Sequence, residues 1–203
     1  MNNANTAARK RQITRADLMP MEEYCKVRKE RRTAISEIKR DRRLQVGPFA
    51  TFYFESYETM WQQIHEMLFV ERGGEAQIPD ELDAYNPLIP QGRELVATLM
   101  LEIPDAAVRA RTLAQLGHVE ETIELDVGGT IVKGTSAEHD VERTTEEGKT
   151  SSVHFIRFAL GDEAIGKFKT AGTRITLGFS HKNYGHMAVM PETVRAALAG
   201  DLD

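Results

Sequence analysis

The sequence predicts an α+β fold: a mostly antiparallel sheet with helices packed on it and a basic N-terminal helix. Three observations carry this. Several short segments alternate apolar and polar side chains with the two-residue period of a strand. Two of them flank Gly128-Gly129, a pair that accepts the positive φ angles of a tight hairpin turn at little cost. Between the strand patterns lie segments whose apolar residues recur every three to four positions, as in amphipathic helices.

Taken in order, residues 1–12 are polar, small and basic, and read as a disordered tail. Thr14 followed by Asp17 resembles a capping box, and Pro20 suits the first turn of a helix over about 20–42. GPFATFYFES alternates and is rich in aromatics, so it reads as a strand. ETMWQQIHEMLFVE then places Met60, Trp61, Ile64, Met67 and Leu68 at helical spacing, and Gly73-Gly74 ends the helix. ELDAYNPLIP, residues 81–90, reads as a turn-rich loop stiffened by two prolines and anchored by Leu82, Leu88 and Ile89. ELVATLMLEI is apolar on both faces, as in a central strand. Pro104-Asp105 opens a helix that Gly117 closes, and TIELDVGGTIVKGTS is the hairpin. Residues 137–151 are charged and loop-like. SSVHFIRFAL is a strand, EAIGKFKTAG a short helix, TRITLGFSH a strand with Ile175, Leu177 and Phe179 on one face, and PETVRAALAG a terminal helix. This gives one domain over 13–203, divided into a basic helical arm (13–46), a core (47–190) and the terminal helix (191–203).

Composition narrows the function classes. No apolar run reaches the roughly 18 residues of a membrane helix, and the N-terminus lacks a signal-peptide core, so a cytoplasmic location is expected. Cys25 is the single cysteine, expected to be a small buried or half-buried filler, and no cofactor can be held through a set of thiolates. Charge is divided: residues 1–46 hold 13 Lys+Arg against 6 Asp+Glu, and the remainder is acidic. The basic helix therefore raises nucleic acid as a partner. It is also laced with Glu23, Glu30, Glu37 and Asp41 and lacks interleaved aromatics, which favours packing on the acidic body over phosphate binding.

Several motifs fail in informative ways. His65-Glu66 would begin a zinc-protease motif, but position 69 is Phe, not His. His181 and His186 are five apart and read as a solvent-facing pair. There is no Walker lysine and no Gly-x-Ser-x-Gly elbow. A carboxylate group remains: Glu66, Glu71, Glu81 and Asp83, with His154, would form an oxygen-rich set with one imidazole, suited to iron, manganese or magnesium. The simpler reading has these acids facing water or capping helices. His154 and Arg157 point to opposite faces of their strand, each among apolar neighbours. Arg157 then needs a carboxylate, for which Glu66 or Asp83 is the expected partner, pinning the 81–90 loop against the sheet.

ITRADLMPMEEY, QIHEMLFVE, ELDAYNPLIP and RTTEEGKTSSVHFIRF, in that order, resemble a bacterial family known as domain of unknown function 3501. The resemblance runs from about 13 to 180 and includes Gln63, Glu66, Glu81, Leu82, Asp83, Ala84, Tyr85, Asn86, Pro87, His154, Phe155, Arg157 and Phe158. His65 departs from it, the family pattern there being more like Gln. The resemblance implies no activity. It implies a genomic setting beside a rubrerythrin-like di-iron protein and a cysteine-rich iron–sulfur protein, hence a role in redox or peroxide handling.

Three functional expectations follow. The first is a non-catalytic accessory protein of such a redox module, with di-iron and iron–sulfur proteins as partners and the Asn86-Pro87 loop with its neighbouring aromatics as the contact surface. The second is a metal-binding protein or enzyme with a site from Gln63, Glu66, Glu81, Asp83, Tyr85, Asn86, His154 and Arg157, in which Glu66, Asp83 and His154 hold iron, manganese or zinc. The third is nucleic-acid binding through the basic helix.

Overall fold

The computed structural model of the protein describes residues 10–137 and 143–203. Among them are strands β1 (Arg43–Val46), β2 (Ala50–Phe54), β3 (Glu94–Leu101), β4 (Ile123–Val127), β5 (Thr130–Ser136), β6 (Val153–Ala159), β7 (Ile175–Phe179) and β8 (Met187–Val189). The helices are α1 (Met21–Arg40), α2 (Tyr57–Glu71), α3 (Ile78–Tyr85), α4 (Ala106–Leu113), α5 (Asp162–Lys169) and α6 (Glu192–Ala199). The strands form one sheet in the order β1-β2-β3-β6-β5-β4-β7-β8, every pairing antiparallel. The architecture is α+β, as the alternation patterns require, and no described helix is long and apolar enough to cross a membrane.

The sheet curls until β1 and β8 approach each other. Tyr184 joins the two ends: its hydroxyl accepts from the amides of Phe49 and Ala50 at 3.0 and 2.9 Å and donates to the Val46 carbonyl at 2.8 Å. The fit leaves no room at Gly47, where φ is +70° and a Cβ would come 2.7 Å from the His186 ring. The two-residue hairpin turn is as expected, with φ of +56° at Gly128 and +88° at Gly129.

Alternation along each strand sorts side chains into two cores. Leu95, Ala97, Leu99 and Leu101 of β3, with Ile156 and Phe158 of β6, face inward into a large apolar cluster. Ile175, Leu177 and Phe179 join it from β7, and α4, α5 and α6 complete it with Leu113, Phe168 and Leu198. Val96 and Phe155 point the other way, into an outer layer beneath α2 and α3 that holds Met60, Ile64, Leu68, Ile78 and Leu88.

Three elements differ from the expectation. Residues 43–46, placed in the basic helical arm, form β1: Leu44 and Val46 are buried while Arg43 and Gln45 face solvent. Arg42 fixes that switch, donating to the carbonyls of Phe54 at 3.0 Å and Glu55 at 2.7 Å and pairing with Asp201 near the C-terminus. β8 is a three-residue strand with no alternation of its own. The 81–90 loop is helical over most of its length, because Pro79 and Asp80 favour a first helical turn and Asn86–Leu88 continues it as a 3-10 turn. Most of the expected disordered tail lies outside the described residues. Within it, Arg11 pairs with Asp203 and donates to the Gln91 carbonyl. Of the charged loop, residues 138–142 also lie outside, while Thr144 and Thr150 bridge across it.

Candidate functional site

Six of the eight candidate residues fall into three groups, with Asp83 and His154 apart from them. Asn86 and Arg157 hold the end of α3 in place. The Asn86 side chain accepts from the Ile13 amide at 2.7 Å and donates to the Ile13 carbonyl at 2.9 Å, tying the chain entering α1 to that leaving α3. Arg157 donates to the Pro87 carbonyl at 2.9 Å, so the segment is pinned against the sheet as anticipated. Its carboxylate partner is Glu94, however, and neither Glu66 nor Asp83. Glu94 lies on the neighbouring strand, two positions from the residue opposite Arg157, which is closer than any side chain on the helices. Asp83 is exposed on α3.

Glu66 belongs to a second group, between α1 and α2. It accepts from the Tyr24 hydroxyl at 2.6 Å and from Arg28 at 2.6 and 2.9 Å. Burial raises its carboxyl pKa, but the bonds from Arg28 and Tyr24 outweigh this and leave it below the ordinary carboxylate value. Beside it His65 is fully buried, its ring 3.8 Å from that of Trp61 and 4.7 Å from that of Tyr24, centre to centre. One ring nitrogen accepts from the Met19 amide at 3.1 Å and the other lies 2.8 Å from the Trp61 carbonyl, an arrangement that suits the neutral ring. Desolvation lowers its pKa, consistent with that form. Both nitrogens are used in packing the helices, so His65 serves the fold here.

His154 lies on the opposite face of the sheet from both groups. Its Nε2 is 3.1 Å from the Thr150 hydroxyl and 3.0 Å from the Ser151 carbonyl, and its Nδ1 is 3.7 Å from Glu120. The sheet itself separates it from Glu66, and Asp83 projects elsewhere, so the expected ligand set of Glu66, Asp83 and His154 is not brought together. Among the described residues no group of three or more His, Cys, Asp or Glu side chains is placed to hold a metal ion. His181 and His186 also part: His181 is buried with Nδ1 accepting from Asn183 at 3.2 Å, and His186 packs edge-on against Tyr184. Cys25, expected as a filler, is exposed on α1, because that helix turns Tyr24 and not its neighbour into the contact with α2.

The third group lines a cavity of about 280 Å³ between α2, α3 and the outer face of the sheet. Gln63 and Tyr85 are there, with Gln63 Nε2 3.5 Å from the Tyr85 hydroxyl, while Glu81 lies behind them, accepting from Gln77 at 2.7 Å. Register builds the floor. Tyr53, Thr98 and Phe155 lie side by side across β2, β3 and β6, and Thr51, Met100 and Val153 form the next row. At the end of β2 the same alternation turns Glu55 toward the helices. Glu55 is only 6% exposed, and it accepts from the hydroxyls of Thr98 and Thr59, each at 2.6 Å. Thr59 is itself fixed as the third residue of the α2 capping box, with Ser56 donating to its hydroxyl at 2.8 Å. Burial raises the pKa of the Tyr85 hydroxyl above its ordinary value. Sequence reasoning missed Glu55 and Thr98. The available signal was a carboxylate on the helix-facing side of the FYFES strand, immediately before a helix cap.

The sequence model of a family described as "Protein of unknown function (DUF3501)" matches residues 12–202. A solved structure of a novel protein of unknown function from Burkholderia pseudomallei K96243 is similar, with a TM-score of 0.87 and 38% sequence identity over 95% of this chain and 100% of that one. No curated protein matches.

Proposed function

The chain belongs to the DUF3501 family of proteins of unknown function, and from that premise we propose that it acts as a non-catalytic accessory protein that docks to an acidic redox partner. One observation carries the reading: α1 is 20 residues long and buries a single side chain, Tyr24. A helix of that length normally covers a stripe of apolar residues against its own domain. Here the exposed surface carries Lys26, Lys29 and Arg32 and the exposed Cys25, interspersed with Glu22, Glu23, Glu30 and Glu37. Arg28 is engaged with the body through Glu66 and Arg31 lies over the Trp61 ring, whereas Lys29 and Arg32 make no ion pair with the described residues. A groove of about 770 Å³ runs between Arg28, Lys29, Arg32 and Phe69, offering cations beside an aromatic ring. Such a surface steers an acidic protein and fixes its orientation. The class of partner, a di-iron or iron–sulfur protein, rests on the family's genomic setting.

The test is anaerobic co-purification from the native host after nuclease treatment, with iron content and the visible spectrum of the captured fraction as readout. Recovery of an iron-bearing protein that is lost from Lys29→Glu/Arg32→Glu, and that weakens as salt rises, supports the reading. It is overturned if the wild type recovers no iron protein, if the double variant captures it equally, or if nuclease treatment abolishes recovery, which would assign the helix to nucleic acid.

A further inference from the structure

The cavity under α2 and α3 holds one carboxylate, Glu55, and although Lys39 also lines it, the two form no ion pair among the described residues. Glu55 is buried and forms no ion pair among the described residues, and its two oxygens are each held by a threonine hydroxyl. Hydroxyl donors orient the two oxygens but bring no positive charge to them, and a buried acidic group is best matched by a cationic partner. The remaining walls are of another kind: Tyr53, Tyr85 and Phe155 present rings, and Met60 and Met100 present thioethers. Aromatic rings attract cations through their faces, and methionine accommodates irregular apolar shapes. At about 280 Å³ the space lies just below the roughly 300–1,000 Å³ of pockets for drug-sized ligands, so its occupant is small.

We propose that this cavity binds a small organic ammonium ion with an apolar body, the ammonium facing Glu55 and the body lying against Tyr85, Phe155 and the two methionines. An anion would meet the carboxylate at the floor. A divalent metal would find one carboxylate and hydroxyl groups already donating to it, too few ligands for a hard cation. A neutral apolar molecule would leave Glu55 uncompensated. Lys39, at the margin of the cavity, is the one lysine lining it and the internal competitor for the ammonium position. The site is separate from the outer face of α1 proposed above for docking, and either can hold without the other.

The experiment uses the full chain with methyl-labelled methionine, following the Met60 and Met100 resonances during titration with n-butylammonium, n-butanol and butyrate. Saturable shifts are expected with butylammonium, an affinity at least about tenfold lower in Glu55→Gln, and equal or tighter binding in Lys39→Gln. Tyr85→Leu is expected to weaken butylammonium about threefold or more while leaving the weak response to butanol unchanged. If Glu55→Gln does not fold, Tyr85→Leu and Lys39→Gln carry the test. The proposal is overturned if butanol or butyrate binds as well as butylammonium, if a folded Glu55→Gln retains wild-type affinity, if Tyr85→Leu weakens both probes alike, or if no probe gives saturable shifts in either wild type or Lys39→Gln.

Discussion

The interior of the curled sheet and the contact between α1 and α2 are held by different physics. The interior is almost wholly apolar and closed on all sides, with Phe52, Leu99, Ile156, Phe158 and Leu177 at 0% exposure. The α1–α2 contact is a small set of directed groups: a tyrosine hydroxyl, a carboxylate, a guanidinium and a neutral imidazole between two aromatic rings. Hydrophobic burial is tolerant of detail and sums over many side chains, whereas a polar contact is specific and fails when one member is lost. The sheet should therefore set global stability, and the helical contact should open on its own.

The largest expected effect tests the first half of that contrast. Phe158→Ala, at the centre of the interior, should cost about 3–5 kcal/mol in urea unfolding, because it removes the ring and leaves a space that close-packed neighbours cannot refill. A loss below about 1 kcal/mol would mean that the interior is loosely packed.

The second prediction separates the regions. Tyr24→Phe removes a donor from Glu66 and an acceptor from Gln62, leaving polar groups unsatisfied at a cost of about 1–2 kcal/mol. Trp61, the chain's single tryptophan, sits in this contact and donates to the Asp17 carbonyl at 2.8 Å. Its fluorescence should change at lower urea than the far-ultraviolet circular dichroism of the sheet. Coincident transitions in the variant would show that the two regions unfold as one.

Acid gives a third, smaller effect in the same place. The pKa of Glu66 is lowered in the fold, so its contribution is present above the ordinary value of 4.5 and is lost as pH falls through the lowered one. The pKa of His65 is lowered by desolvation, so the unfolded chain binds its proton first and stability begins to fall below 6.5. Trp61 fluorescence should thus respond from about pH 6.5 downward, ahead of sheet unfolding, and His65→Gln should shift the onset toward the carboxylate range. An unchanged onset in that variant would remove His65 from the account.

The smallest effect is expected from Arg15→Ala, since the Arg15–Glu75 pair is 50% and 74% exposed and should contribute less than about 0.5 kcal/mol.

The same contrast explains what could be read from the sequence. Alternation is a local signal, so Ile175, Leu177 and Phe179, the opposed faces of His154 and Arg157, and the Gly128-Gly129 hairpin were all legible. β1 was not: Arg42-Arg43 continues the charge pattern of α1, and what ends the helix is a guanidinium reaching the carbonyls of Phe54 and Glu55. The 81–90 segment is ambiguous in sequence because Asn and Pro suit both turns and a short helix with its 3-10 extension. The cavity was the least legible part. Gln63 and Tyr85 were singled out, but the row of Tyr53, Thr98 and Phe155 exists only once three strands distant in sequence have taken their register. Glu66 and His154 are compatible by chemistry as members of one oxygen-rich ligand set, yet strand alternation sends His154 through the sheet to the other side.

The Tyr184 hydroxyl, which bonds three backbone groups of the β1–β2 hairpin, also decides how the molecule behaves toward its own copies. An open eight-stranded sheet would present two unpaired margins on which further strands could grow. Here one phenol holds those margins against each other. Removing that single oxygen, as in Tyr184→Phe, leaves the apolar packing largely intact but frees both margins at once, so the first consequence should be concentration-dependent self-association while the fold persists.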